Sequence, residues 1–122
     1  HLPAILALMP TEVQNGIREV NKLTSAGSQS ATINTTADKL FLLSEIEIFG
    51  SVSYSQSGEG TQYDYYKAGN SKVKNYSGSA NIWWERSPHG SYSTYFCNVN
   101  GYGDAAGDTA SSAFGVAFGF CF

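Results

Sequence analysis

Charge is what this chain has least of. Asp, Glu, Lys and Arg make up 14% of its 122 residues, well below the usual quarter. Only seven side chains are Lys or Arg, and the formal net charge is −3. A phosphate backbone is held by a basic face, so nucleic acid is excluded as a partner. Apolar runs are short, and none reaches the length of a membrane span, so no membrane insertion is expected. Cysteine is limited to Cys97 and Cys121, with no histidine nearby, which does not make a zinc site. No internal repeat or heptad occurs. The glycines of Gly101-Tyr102-Gly103 and Gly107 follow no βαβ unit, so a dinucleotide loop is excluded as well.

Tyr, Gly, Ser and Asn fill the place that charge leaves. Eight Tyr, seven Phe and two Trp are too many aromatics for a disordered chain, and the length fits one domain with one core. The most informative stretch is Trp83 to Phe122. It opens on Trp83-Trp84-Glu85-Arg86-Ser87-Pro88 and closes on Phe114-Gly115-Val116-Ala117-Phe118-Gly119-Phe120-Cys121-Phe122. Between them lies a tract of small polar residues and tyrosines. That is the chemistry of an antibody paratope, in which Tyr supplies contact area at low entropy cost and Ser, Gly and Asn adapt their hydrogen bonds.

Along the chain, Leu2, Ile5, Leu6 and Met9 have helical spacing, with Pro3 in the first turn and Pro10 ending or restarting the helix. Asn15-Gly16 reads as a helix stop. Thr24 to Asp38 has no periodicity and reads as a long loop. Lys39 to Leu43 reads as a short buried strand. Ser44 resembles an N-cap, with Glu45 and Glu47 favourably placed at a helix start and Gly50 at its end. Ser51 to Gly60 is again rich in Ser and Gly, Thr61 to Ala68 has no clear pattern, and Gly69 to Ser79 reads as a long loop with a short element. Ile82 to Glu85 and Ser93 to Asn100 read as strands. Phe114 to Phe122 reads as a third, with Phe114, Val116, Phe118, Phe120 and Phe122 on one face and Ala113, Gly115, Ala117, Gly119 and Cys121 on the other. A strand so divided must lie against something bulky, and Trp83 and Trp84 are the obvious partners. Alternation puts one Trp inside and the other outside. The sum is an α+β chain, with short N-terminal helices and a small antiparallel sheet with long loops.

Several of these segments resemble one family. The Trp-Trp-x-Arg-Ser-Pro segment, the tract after it and the terminal Phe120-Cys121-Phe122 are similar to the bacterial and phage domain of unknown function 6273. So are Asn34-Thr35-Thr36 to Gly50, with Lys39-Leu40-Phe41-Leu42-Leu43-Ser44-Glu45, and Gly58-Glu59-Gly60-Thr61-Gln62-Tyr63. The resemblance covers the chain as the C-terminal part of a longer protein. It implies a C-type-lectin-like fold, as in relatives of formylglycine-generating enzymes and in the variable proteins of diversity-generating retroelements, including phage tail tropism determinants. It further implies a binding face whose side chains change on a fixed backbone, and a buried ion pair of Arg86 with Glu45 or Glu47. One departure stands out: Glu85 occupies a position that is usually apolar in the family, which suggests a ligand contact or a solvated edge.

The variable positions of retroelement targets draw on Asn, Asp, Ser, Gly, Ala, Thr, Tyr and His. His89, Gly90, Asn98, Asn100, Tyr102, Asp104, Ala105, Ala106, Gly107, Asp108, Thr109 and Ser111 belong to that set. With Glu85 and Tyr92 they form the expected ligand-binding face. The expected ligand is an external protein or glycan, the setting a phage tail or bacterial cell surface, and homo-oligomers fit the same role. No catalytic residue, cofactor or metal is expected. Asp104 and Asp108 lack the spacing of a calcium loop, and His89 reads as a surface side chain. Two other classes remain open: a structural or adhesion module of a surface protein, and an enzyme of the formylglycine-generating type built on a reactive cysteine pair. Whether Cys97 and Cys121 are buried thiols or one disulfide between neighbouring strands is open as well. Asn34 and Asn75 begin sequons that matter only in a secretory pathway.

Overall fold

The computed structural model describes residues 2–122; His1 lies outside them. Two short helices come first, α1 (Leu2–Ala7) and α2 (Thr11–Gly16), separated at Pro10 and ending at the Asn15-Gly16 stop. Strands β1 (Val20–Ser25) and β2 (Ile33–Asp38) follow as an antiparallel hairpin. Here the expected loop over Thr24 to Asp38 is overturned. Val20 faces Asp38 and Ser25 faces Ile33 across an unbroken register. β2 is largely exposed on both faces, so it carries no apolar alternation to read. Its strand character rests on β-branched Ile33, Thr35 and Thr36 and on pairing with β1.

Strand β3 (Phe41–Leu42) leads into helix α3 (Glu45–Phe49). The Ser44 hydroxyl accepts from the Glu47 N–H at 3.2 Å, and the Ser44 N–H donates to Glu47 Oε2 at 2.9 Å, closing a capping box. Gly50 closes the helix in a left-handed conformation. Helix α4 (Asp64–Lys67) and the hairpin of β4 (Lys74–Tyr76) and β5 (Ser79–Asn81) supply order in stretches without sequence pattern.

Strands β6 (Trp83–Pro88), β7 (Tyr95–Val99) and β8 (Ala105–Thr109) form the one three-stranded antiparallel sheet among the described residues. β8 makes five residues of the presumed variable tract a regular edge strand in register with β7, from Tyr95 opposite Thr109 to Val99 opposite Ala105. The closing aromatic segment is a second correction. It forms only β9 (Phe118–Gly119), paired with β3. Gly115 bridges Trp83 and Cys121 bridges Arg18. Three successive partners replace the single partner that a nine-residue strand would need. The small face is the one in close contact: a Cβ on Gly119 would lie 2.9 Å from the Phe41 ring, and one on Gly115 would lie 3.1 Å from the Ile82 carbonyl oxygen. The phenylalanines are looser, and Phe120 and Phe122 are exposed.

The apolar core is small. Its main cluster is Ile48, Tyr66, Trp83 and Val99, with Leu43, Phe49 and Ala117 packed around them, and Ile17, Leu40, Phe41 and Cys97 are buried outside that cluster. Trp83 is the inner tryptophan, with its indole N–H donating to the Lys72 carbonyl at 3.0 Å. Trp84 is half-buried and packs on Phe114 with ring centroids 5.1 Å apart.

Beside this core sits a buried ionic one. The Arg86 guanidinium grips both oxygens of Glu47, at 2.9 and 3.1 Å. It also donates to the Leu42 carbonyl at 2.6 Å, the Leu23 carbonyl at 2.9 Å and the Thr24 hydroxyl at 2.9 Å. Lys22 closes on Glu47 from the other side and donates to the Tyr63 hydroxyl at 2.7 Å. Of the two partners open to Arg86, Glu47 is the one chosen. Burial works to raise the Glu47 carboxyl, but Arg86, Lys22 and the Ser44 N–H outweigh it and hold it below the usual range. Removing one member strands a buried charge. Arg86→Ala is expected to lower the urea-unfolding free energy at pH 7 by about 3–5 kcal/mol. Arg86→Lys is expected to recover less than half of that, because an ammonium cannot span both Glu47 oxygens and two backbone carbonyls.

Candidate functional site

The expected binding residues fall into two groups. Tyr102 and Asp104 are exposed on the turn that joins β7 to β8. That turn is tied down by one side chain: Asn100 Oδ1 accepts from the Tyr102 N–H at 2.9 Å and the Asp104 N–H at 3.0 Å. The Asn100 N–H donates to the Asp104 carbonyl at 2.9 Å. Tyr102 gains no burial from this and remains 89% exposed. At the other end of β7, His89 Nδ1 accepts from the Ser91 and Tyr92 N–H groups at 3.0 and 3.2 Å. Its ring stacks on Tyr92 at 4.8 Å and meets Tyr54 and Tyr95 at 5.7 Å. Tyr92 itself is exposed. Gly90 and the residues of β8, Ala105, Ala106, Gly107, Asp108 and Thr109, are half-buried, and Ser111 is exposed.

Glu85, His89 and Asn98 do not face outward as expected: all three are buried. The β6–β7 register explains Glu85. Trp84 opposes Asn98 and Pro88 opposes Phe96, so Glu85, Arg86 and Ser87 bulge opposite Cys97 alone. Trp83, Glu85, Ser87 and His89 stay on the inner side, and Glu85 is only 2% exposed. Sequence alternation with Trp83 carried that signal. Counting Glu85 as an edge because it is charged concealed it.

Glu85 enters a chamber of carboxyl groups. Glu45 and Glu59 are fully buried beside it, and a carboxyl oxygen of Glu45, one of Glu85 and Cys97 Sγ lie within 4.8 Å of one another. Glu45 Oε1 accepts from the N–H groups of Ser53, Tyr54 and Ser55, at 2.7, 3.1 and 3.2 Å, and from the Ser55 hydroxyl at 2.9 Å. Glu59 accepts from the Ser25 N–H at 2.7 Å and from the Ser87 hydroxyl. Its flanking residues Gly58 and Gly60 have φ of +100° and +108°, a backbone that only glycine adopts without strain and that turns Glu59 inward. Among the described residues neither oxygen of Glu85 has a hydrogen-bond partner, and neither has Asn98 Oδ1. Burial, then the nearby Glu45 and Glu59 charges, push the Glu85 carboxyl from its ordinary 4.5 up to about 9. Burial likewise raises Glu59, against the hydrogen bonds it accepts. The Cys97 thiol is pushed up by burial and by the three carboxyls. Both cysteines are free, Cys97 buried and Cys121 exposed.

Among the described residues no helix is long and apolar enough to cross a membrane. No curated protein and no solved structure matches the chain. The family described as a domain of unknown function, DUF6273, matches residues 4–121, and the chain belongs to it.

Native protein treated with a thiol reagent is expected to react once, at Cys121, with Cys97 reacting only on unfolding. The chamber also predicts a pH dependence. Glu85 holds a proton in the folded protein between its ordinary 4.5 and about 9 that it loses on unfolding. Its contribution is therefore fully present below pH 4.5, falls as pH rises through that window, and is lost above about 9. In chelator-treated protein, Glu85→Gln should flatten the loss of unfolding free energy between about pH 5.5 and 8.5 by up to ~1.4 kcal/mol per pH unit.

Proposed function

We propose that this member of the DUF6273 family is a recognition domain that binds an external protein or glycan. Its face would comprise Tyr92, Asn100, Tyr102, Asp104, Ser111 and the edge strand between them. The observation that carries this reading is Tyr102: a large aromatic side chain, almost wholly in solvent, on a turn that Asn100 has already ordered. Such a residue adds nothing to the core, and its backbone is fixed before any partner arrives, so little entropy is lost on contact. Tyr92, held over His89, has the same character at the opposite end of β7.

The C-type-lectin-like scaffold, the diversity-generating retroelement target and the phage-tail or bacterial-surface setting belong to this proposal. The small side chains of Ala105, Ala106, Gly107 and Thr109 support it, since they project from a strand whose backbone is fixed by β7. Their exchange would alter the surface without altering the pairing. A thiol enzyme of the formylglycine-generating type is less well supported, because Cys97 is sealed in the chamber and Cys121 lies at the surface.

The test is binding of the purified domain to glycan arrays and intact bacterial cells, repeated with Tyr102→Ala/Asp104→Ala. The double variant should keep its unfolding free energy within about 0.5 kcal/mol and lose at least tenfold in affinity. Binding unchanged in the double variant, or no binding to either probe, would contradict the assignment.

A further inference from the structure

Four carboxyl groups meet inside this small domain: Glu45, Glu47, Glu59 and Glu85 are all buried. Two cationic side chains meet them, Lys22 and Arg86, and both pair with Glu47. With every carboxyl ionised, two formal negative charges remain unmatched. The unmatched groups surround the one side chain in the chamber with neither oxygen bonded, Glu85. A buried carboxylate without a partner is costly. The bulge in β6 and the Gly58/Gly60 pair are local features that bring these acids together rather than apart.

We propose that Glu45, Glu85 and Cys97 bind a single thiophilic divalent cation, with Zn2+ as the representative ion. Glu45 comes from α3, Glu85 from the bulge of β6 and Cys97 from β7, and the ligand atoms of the three lie within 4.8 Å of one another. Tetrahedral zinc with bonds of 2.0–2.3 Å holds its ligands about 3.3–3.8 Å apart, so a bound ion draws the three inward by about 1 Å. Glu85 has both oxygens free to ligate. Glu45 is already oriented: Oε1 takes four donors from the 53–55 loop, whereas Oε2 takes only the Tyr54 N–H, at 3.1 Å, and keeps a lone pair. Such outer hydrogen bonds hold a ligating carboxylate in place. A thiolate with two carboxylates favours zinc or cobalt over magnesium or calcium, which prefer oxygen alone. One divalent charge offsets the unmatched pair of carboxylates, and binding of Cys97 as the thiolate leaves a single formal negative charge in the chamber. The fourth position falls to a water or another small ligand. Sequence spacing gave no hint of the site, because its ligands stand on three separate elements.

The test uses the whole chain, unfolded in chelator, refolded metal-free, and titrated with Zn2+ and with Co2+. One equivalent of metal should remain bound after desalting, and Zn2+ should raise the thermal midpoint by about 5 °C or more when well above its Kd. The Co2+ form should show thiolate-to-cobalt charge transfer, present in Cys121→Ser and absent in Cys97→Ser. Glu85→Gln should weaken binding by about tenfold or more. If Cys97→Ser fails to fold, the Cys121→Ser spectrum alone decides, since Cys97 is then the only thiol. No retained metal, a cobalt form without the thiolate band, or a band lost with Cys121 would each overturn the proposal. The outcome is independent of whether the Tyr102 turn binds a ligand.

Discussion

The structure depends on one carboxylate. Glu47 lies buried on α3 with Arg86 gripping both its oxygens and Lys22 closing the other side. Through Lys22 it holds β1, through Arg86 it holds β6, and through its capping bond to Ser44 it starts its own helix. Arg86 extends the tie to the carbonyls of Leu23 and Leu42. The elements so joined are short, and the apolar cluster between them has four buried members. Packing alone supplies little at that size. A buried ion pair is weak evidence of net stability, but it is a strong constraint on which arrangement is reached, because every alternative leaves a charge without a partner.

The same device recurs at longer range. Glu45 gathers the amides of the 53–55 loop, and Glu59 takes the end of β1 and the Ser87 hydroxyl. The Ser- and Gly-rich stretch from Ser51 to Gly60 becomes a fixed loop because Glu45 gathers its amides and Glu59, within it, turns inward to Ser25 and Ser87. Its backbone donors would otherwise be unsatisfied. The outer turns are ordered separately, by single side chains. Asn100 orders the Tyr102 turn with its own side chain, which leaves the Tyr102 ring in solvent, and His89 orders the Tyr92 turn.

Much of the frame was legible in the residues. Ser44 and Gly50 mark both ends of α3, Asn15-Gly16 marks the end of α2, and alternation places one of Trp83 and Trp84 inside, the structure choosing Trp83. The family resemblance added the Arg86 ion pair. The hairpin of β1 and β2 was not legible, because an exposed strand has no buried face to impose a period. The Phe114–Phe122 segment misled in the opposite direction. Its alternation is perfect, yet a strand also needs a continuous partner, and here the small residues meet Trp83, Phe41 and Arg18 in turn. Glu85 shows the remaining limit. Charge suggested the surface, while its register with Trp83 placed it inside. The gathering of Glu45, Glu59 and Glu85 with Cys97 lies beyond local pattern altogether, since it arises only when α3, the loop before α4, β6 and β7 converge.

Native-state hydrogen exchange tests the central claim, that buried carboxylates rather than apolar contacts fix the loops. The amides of Ser53, Tyr54 and Ser55, bonded to Glu45, and of Ser25, bonded to Glu59, should exchange only through the largest openings, as slowly as those of Cys97 and Val99 in the central strand. Fast exchange at the four loop and edge amides, with protection confined to the central strand, would contradict the account.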